Sequence, residues 1–327
     1  STNFTGAGVG KSATIRAFTC VAEKILRTAG DHPNKPRVLI CARTGKAASI
    51  INGITIHSAF DFKFGNDFLP LSDKKLAMFR EMLSELQIIV IDEMSLLKAD
   101  MLYCIHMRLC EIFQSKDLFA SKSILLVGDL LQLPPVKGKF VFERPVTLKF
   151  SAFFDVNSLW HSFEFHELVE NHRQGDGNRW ANILNELRVG NVTEEAEQLL
   201  KTRLTSNPFL EQDAMHVFYT NKEVSGHNTK MLMSLPASEV ILNAFKFQPR
   251  GYKCLTTKHG TIDNTQFMNA LHLKIGARVC LVFNINTVDE LVNGALGTVI
   301  EFERNKFGKI EAIIIAFDQE STGEQQR

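Results

Sequence analysis

Ile88-Ile89-Val90-Ile91-Asp92-Glu93 runs from β-branched apolar side chains straight into two carboxylates. A half-exposed strand would alternate apolar with polar residues, so an unbroken run of this length reads as a strand buried on both faces. Val38 to Ala42 and Ile124 to Val127 have the same texture. The residues between them are spaced as helices: Ser12 to Ala29, Thr44 to Asn52, Ser72 to Leu86 and Leu96 to Phe113. Strands and helices in alternation predict a doubly wound α/β domain with a parallel sheet. In such sheets ligands collect beyond the carboxyl ends of the strands, which makes Asp92 and Glu93 candidate site residues.

Composition sets the outer bounds. A chain of 327 residues has room for two domains with their own cores. With 45% hydrophobic and 22% charged residues it is a folding chain and not a disordered tail. The formal charge of +1, from 37 basic and 36 acidic side chains, excludes a polybasic binder and leaves only groove-local contacts with nucleic acid. No apolar run approaches the roughly 20 residues that a membrane helix needs, so no membrane partner is expected. No charged-then-apolar leader opens the chain, and the expectation is an intracellular protein. The six cysteines are scattered without a C-x-x-C pair, which favours reduced thiols over zinc ligands or disulfides.

The second half changes texture. Beyond Trp160, helices are expected over about Asn178 to Val189 and Thr193 to Leu204, with Gly190 ending the first and Thr193 capping the second. Met215 to Tyr219 reads as a strand, followed by a helix from about Asn221. After Pro249 come short β segments at Leu271 to Leu273, Ala277 to Phe283, Gly297 to Phe302 and Ile310 to Phe317, with Asn293-Gly294 and Gly297 as turns. Ser1 to Thr5 looks too short and polar for a buried strand, and the end of the chain is a polar tail. The sequence reads as an excerpt of something longer.

Three elements carry chemistry. Thr5-Gly6-Ala7-Gly8-Val9-Gly10-Lys11-Ser12 opens the first helix. Gly6, Gly8 and Gly10 let backbone N–H groups turn toward phosphate oxygens, Lys11 brings a charge to the β- and γ-phosphates, and the Ser12 hydroxyl suits Mg²⁺. The first glycine of G-x-x-x-x-G-K-S falls on Thr5, so the loop counted from Gly6 is one residue short. Glycine-rich turns before helices can be purely structural, but Gly-x-Gly-Lys-Ser favours phosphate. At the strand end, Asp92 can hold Mg²⁺ and Glu93 can activate a water. Gly128-Asp129-Leu130-Leu131-Gln132-Leu133-Pro134-Pro135-Val136 then delivers Gln132 at a neighbouring strand tip, where it can sense a γ-phosphate.

With Ala42-Arg43-Thr44-Gly45-Lys46-Ala47-Ala48, Gly53-Ile54-Thr55-Ile56-His57-Ser58, Asp92-Glu93-Met94-Ser95 and Glu170-Asn171-His172-Arg173-Gln174, these segments resemble the PIF-type (petite integration frequency) DNA helicases. That family is the 5′-to-3′ branch of superfamily one, with RecD-like relatives. Later matches are Tyr219 to Val224, Leu273 to Ala277 and Asn293 to Gly297. The resemblance implies an α/β fold of two RecA-like P-loop domains: residues 1–165 the first, with a wedge-like insertion near 60–86, 166–250 part of the second, and 251–327 the start of an SH3-like β insertion. It implies ATP and Mg²⁺ as cofactors, with Gly6, Gly8, Gly10, Lys11 and Ser12 binding nucleotide and Ser12 and Asp92 holding the metal. It makes Glu93, Gln132 and Arg173 catalytic, and it assigns Thr44, Gly45, Thr55 and His57 to single-stranded DNA.

The implied protein is a monomer acting on single strands and duplex junctions in repair, recombination or telomere maintenance, in the nucleus or mitochondrion if eukaryotic. Phe60, Phe62, Phe64 and Phe68 fall in the insertion and read first as core, their spacing by two matching a half-buried strand. Arg43 stands where the family has proline, and the family's segments upstream of the loop and its last motifs are not in this sequence. The expectation is therefore a helicase motor lacking both ends, with weak nucleotide binding and poor turnover alone. The rival reading is a nucleic-acid-binding remnant, for example from a mobile element, that no longer hydrolyses ATP.

Overall fold

The computed structural model describes residues 2–5, 9–32, 34–63, 68–145, 157–168, 179–204, 215–248, 251–254, 270–283, 285–286 and 289–324. The chain divides into two compact units, Ser1–Leu204 and Thr205–Arg327.

The first unit is built on β1 (Thr2–Thr5), β2 (Val38–Ala42), β3 (Ile54–Thr55), β4 (Ile88–Asp92), β5 (Ser123–Gly128) and β6 (Phe165–Leu168). They form one sheet in the order β3-β2-β4-β5-β1-β6, parallel throughout. The pleat explains why the apolar runs are continuous. Leu39 and Cys41, Ile89 and Ile91, Ile124 and Leu126 join one core, while Val38, Ala42, Val90 and Val127 join another on the opposite face. On the second face α1 (Lys11–Leu26) and α2 (Gly45–Ile50) supply Ile15, Ala22, Ala47 and Ala48. The first face is covered by α3 (Ile56–Phe60), α4 (Asp73–Met82) and α5 (Ala99–Phe113), through Ile56, Phe60, Phe79, Tyr103 and Leu109. Each such side chain withdrawn from water contributes about 1.5–3 kcal/mol. Among the described residues of the unit, α6 (Asn157–His161), α7 (Arg179–Arg188) and α8 (Glu194–Lys201) follow. Gly190 at φ 83° follows the end of α7, and the Thr193 side chain caps α8 by accepting the Ala196 N–H.

The structure corrects several expectations. Thr2–Thr5 is a strand after all, sitting between β5 and β6 and bonded to both. Two ladders of backbone hydrogen bonds hold a short segment that its side-chain composition does not announce. β1 ends at Thr5 and α1 begins at Lys11; residues 6–8 of the loop between them lie outside the described residues. Phe60 and Phe62 are not on a strand: Phe60 closes α3, Phe62 lies in the turn beyond it, and their rings stack at 5.6 Å. Phe64 lies outside the described residues. The helix expected from Leu96 starts at Ala99, preceded by a single 3₁₀ turn over Met94–Leu96.

In the second unit α9 (Asn221–Ser234) starts with a capping box, Thr220 accepting the Glu223 N–H while the Glu223 carboxylate accepts the Thr220 N–H. Seven strands follow among the described residues, and every pairing is antiparallel: β7 (Val240–Asn243) with β10 (Ala270–Leu273), β8 (Phe245–Gln248) with β9 (Gly251–Cys254), and β11 (Arg278–Cys280) and β13 (Ile310–Phe317) flanking β12 (Leu296–Arg304). Leu273, Ala277 and Val299 form their small core. Gly297 is no turn residue. It sits inside β12, where a Cβ would fall 2.8 Å from the Ala316 carbonyl oxygen. Met215–Tyr219 is not a strand either: it pairs with no strand among the described residues, and Met215, Val217 and Tyr219 are exposed.

Candidate functional site

Since β1, β2, β4 and β5 are parallel, the loops leaving their carboxyl ends share one edge of the sheet. A cleft of about 660 Å³ lies there, lined among others by Gly10, Lys11, Ser12, Thr44, Lys46, Asp92, Glu93, Ser95, Gly128, Asp129 and Gln132. Gly10 takes φ 82° at the N-cap of α1, a left-handed conformation that glycine adopts without strain. Its carbonyl accepts the Thr14 N–H, at 2.9 Å, which leaves the earlier N–H groups of the helix without intrahelical acceptors and the positive end of its dipole toward the cleft. Gly6 and Gly8 lie outside the described residues.

The carboxylates at the end of β4 are set differently. Asp92 is buried and accepts the Glu93 N–H at 2.9 Å. Burial pushes its carboxyl up, against the pull of that N–H and of the Lys11 ammonium. Glu93 takes φ 57°, and its carboxyl is pushed up by burial and then by the neighbouring Asp92 charge. The Thr44 hydroxyl opposes this by donating to Glu93 Oε2 at 3.3 Å. A carboxylate with a raised pKa inside a cleft has the basicity expected of a proton acceptor.

Thr44 therefore belongs to the cleft as well as to the segment expected on DNA. The same hydroxyl accepts the Ala47 N–H at 3.2 Å and caps α2, whose first residue, Gly45, is buried. Parallel pairing aligns Ala42 with Thr55, so the loop after β2 and the start of α3 lie side by side on the sheet edge. Thr55 caps α3 by accepting the Ser58 N–H at 3.3 Å. His57 is half-buried, and burial and then the Arg43 charge push its imidazole down, which keeps it neutral at pH 7.

On the other side, β5 passes close to the Asp92–Glu93 turn. A Cβ on Gly128 would lie 2.8 Å from both the backbone nitrogen and Cγ of Met94, so only glycine fits. Asp129 is buried behind Gln132, accepting the Leu131 N–H at 3.1 Å and the Gln132 side-chain amide at 3.3 Å. It also pairs with Arg188 from α7. The sequence reading missed this pair because no local pattern links partners that are 59 positions apart. It also missed Lys46 and Ser95, which the spacing from Thr44 and Glu93 around the ends of β2 and β4 would have found. Arg173 lies outside the described residues.

Phe60 is fully buried, and Phe62 packs on the same core, as the core reading of these rings expects. The Arg108 guanidinium lies 5.5 Å from the Phe62 ring and 4.9 Å from the Phe68 ring. The second unit has a cavity of about 700 Å³, but Glu290, Glu320 and Glu324 line it and would repel a nucleotide's phosphates. The first cleft does fit a hard divalent cation beside an anion: Ser12 and Asp92 offer oxygen donors and Lys11 faces the anion. Among the described residues no helix is long and apolar enough to cross a membrane.

A parallel sheet that carries a glycine-ended loop into a helix, with a lysine and strand-end carboxylates around one cleft, defines a P-loop nucleotide-binding domain. Family comparison narrows the class. Residues 5–198 match the PIF1-like helicase family and residues 261–302 the 2B domain of the DNA helicase Pif1, so the chain belongs to the PIF1-like helicases. It is 30% identical over 303 residues to the ATP-dependent DNA helicase PIF1 of Saccharomyces cerevisiae, covering 91% of this chain and 33% of the yeast protein. It is 31% identical over 318 residues to the Danio rerio protein of the same description, covering 93% of this chain and 45% of that one. Among solved structures, Bacteroides Pif1 bound to ssDNA aligns with a TM-score of 0.65 and 25% identity over 97% of this chain and 68% of the other. The Candida albicans Pif1 helicase aligns with a TM-score of 0.72 at 24% identity over 97% of this chain and 70% of that one, a likeness of fold. The chain spans about a third to two fifths of the length of the first curated relatives it matches.

Proposed function

We propose that this chain is the nucleotide-hydrolysing part of an ATP-dependent 5′-to-3′ DNA helicase, which couples ATP hydrolysis to movement on single-stranded DNA and to duplex unwinding. One observation carries the reading: Thr44, on the segment that the family resemblance assigns to DNA, hydrogen-bonds Glu93 in the same cleft as Lys11, Ser12 and Asp92. In this reading Gly6, Gly8, Gly10 and Lys11 hold the phosphates, and Ser12 and Asp92 hold Mg²⁺, which neutralises charge on the β- and γ-phosphates. Glu93 takes a proton from the attacking water, Gln132 contacts the γ-phosphate or that water, and Arg173 brings a positive charge to the transferring group. Gly45, Thr55 and His57 line the strand's path with backbone and neutral polar groups, which grip phosphates and sugars without reading sequence.

The substrates are single strands and duplex junctions, the working form is a monomer, and the place is inside the cell, in the nucleus or mitochondrion of a eukaryote. Residues 1–165 form the first RecA-like domain, 166–250 part of the second and 251–327 the SH3-like insertion, of which the 2B-domain match at 261–302 supports the last. The test is Mg²⁺-dependent binding of a fluorescent ATP analogue, followed by ATP turnover with and without single-stranded DNA. Saturable binding that Lys11→Ala removes, and turnover that DNA stimulates, are the expected results. Binding unaffected by Lys11→Ala would overturn the nucleotide site. Binding without any DNA-stimulated turnover would leave the non-hydrolysing remnant as the better reading.

A further inference from the structure

Asp129 is the hub of a network that the roles above do not use. Its carboxylate is 1% exposed. Oδ1 accepts the Leu131 N–H at 3.1 Å and Oδ2 accepts the Gln132 Nε2–H at 3.3 Å, while the Gln132 backbone N–H donates to the Asp129 carbonyl at 3.0 Å. The exit of β5 is thus wound around one buried negative charge. Such a charge is costly unless paired. Its partner comes from far along the chain: Arg188, the last residue of α7, donates from Nη2 to Oδ1. Arg188 is itself 28% exposed, with Gly190 and Asn191 bonded back to Leu187 and Glu186 just beyond it, so the helix end that carries it is fixed.

We propose that Arg188 is a positioning residue for γ-phosphate recognition: through Asp129 it fixes the Gln132 side chain and ties the sensing of ATP to the docking of α7 on the exit of β5. The inference rests on the reading of the cleft as an ATP site. One Gln132 Nε2 hydrogen is committed to Asp129, which leaves the second as a donor for a phosphate oxygen and Oε1 as an acceptor for water. Without Arg188, Asp129 becomes an uncompensated charge behind the sensor. It then opposes an incoming γ-phosphate and no longer holds the amide in one orientation. ADP, which has no γ-phosphate, feels neither effect. The pair therefore bears on the difference between ATP and ADP and not on nucleotide affinity as such.

The test compares Mg²⁺-dependent binding of a non-hydrolysable ATP analogue and of ADP to the chain, with thermal unfolding followed on the same samples. Arg188→Gln should weaken the ATP analogue by about five- to tenfold, the size of effect expected when a coupled network loses one member. ADP affinity should stay within about twofold. Arg188→Lys, which keeps the charge, should recover a large part of the preference. The double variant Arg188→Gln/Asp129→Asn leaves no bare carboxylate and should bind the ATP analogue no worse than Arg188→Gln. Should Arg188→Gln not fold, Arg188→Lys and the double variant carry the same comparison. An unchanged ATP-to-ADP ratio in Arg188→Gln, or an equal loss of both nucleotides, would overturn the proposal and leave Arg188 a structural residue. If the unaltered chain binds neither nucleotide, the reading of the cleft falls and this inference with it.

Discussion

Replacing Arg108 with methionine should destabilise the first unit by about 3–5 kcal/mol. Arg108 is 1% exposed within α5. Its Nε donates to the Phe60 carbonyl at 3.0 Å, its Nη2 to the Leu69 carbonyl at 2.9 Å, and its Nη1 to the Glu111 carboxylate. Glu111 in turn accepts the Leu71 N–H at 2.8 Å, so a single buried guanidinium clamps both ends of the crossing between α3 and α4. Methionine keeps most of the aliphatic stem and leaves little cavity, so the loss is electrostatic. Glu111, 18% exposed, is left without its counter-charge, and the fully buried Phe60 loses the donor to its carbonyl.

For a unit of this size about 2–4 °C of melting temperature goes with each kcal/mol, which gives a drop of roughly 6–20 °C. Urea unfolding supplies the free energy, and hydrogen exchange at the Leu71 amide reports the clamp directly. Arg108→Met/Glu111→Gln removes the stranded charge and should regain at least about 1 kcal/mol. A single variant within about 1 kcal/mol of the unaltered chain, or unchanged protection at Leu71, would refute the account of the clamp.

Other perturbations separate the two roles of Thr44 and probe the crowding at β5. Thr44→Val removes the cap of α2, at about 1 kcal/mol, and the donor that opposes the upward shift of Glu93. The Glu93 carboxyl then rises further. A base must be ionised, so the acid limb of the ATPase pH profile should move to higher pH, while Thr44→Ser should leave it in place. An unmoved limb in Thr44→Val would remove Glu93 from the role of base. Gly128→Ala forces a Cβ to within 2.8 Å of Met94 and should cost about 1–3 kcal/mol in thermal unfolding while weakening nucleotide binding, since Met94 cannot yield without moving the Glu93 turn. Full stability and affinity in that variant would show that the turn has slack.

Much of the first unit could be read before its structure because burial on both faces leaves a plain mark. Val38–Ala42 has the same bounds in sequence and structure, and the runs at Ile88 and Ile124 are extended by one residue at one or both ends. The carboxylates on β4 and the amide beyond β5 meet in one cleft because a parallel sheet brings strand ends together whatever their separation in the chain. What was not legible is held by interactions that sequence pattern does not encode. β1 is a strand because two neighbours supply its hydrogen bonds, although Thr2-Asn3-Phe4-Thr5 has no apolar run. Met215–Tyr219 has the β-forming residues but pairs with no strand among the described residues, and it is irregular. Phe60 and Phe62 reach the core by closing a short helix and stacking in a turn, a geometry that a spacing of two cannot distinguish from a strand. Arg188 and Asp129 were readable only one at a time.

The register of the sheet also shows how the cleft and the proposed path for a nucleic-acid strand would communicate without a moving part between them. Ala42 pairs with Asp92 on one side and with Thr55 on the other. The residue two positions beyond Ala42 therefore stands between the Glu93 turn and the cap of α3. That residue is Thr44, whose one hydroxyl accepts from the α2 backbone and donates to the carboxylate. A hydroxyl has a single proton to give. If an entering phosphate of a DNA strand recruits that proton, Glu93 loses its donor and becomes more basic, with no change in the sheet. In the proposed motor, stimulation of hydrolysis by single-stranded DNA is then a competition for one hydrogen bond, and its size is bounded by what one such bond contributes, about 0.5–1.5 kcal/mol for a neutral donor and up to roughly 3 kcal/mol when the acceptor is charged. Stimulation far beyond the rate change that this range allows, about two orders of magnitude, would require a further group to contribute at the cleft as well.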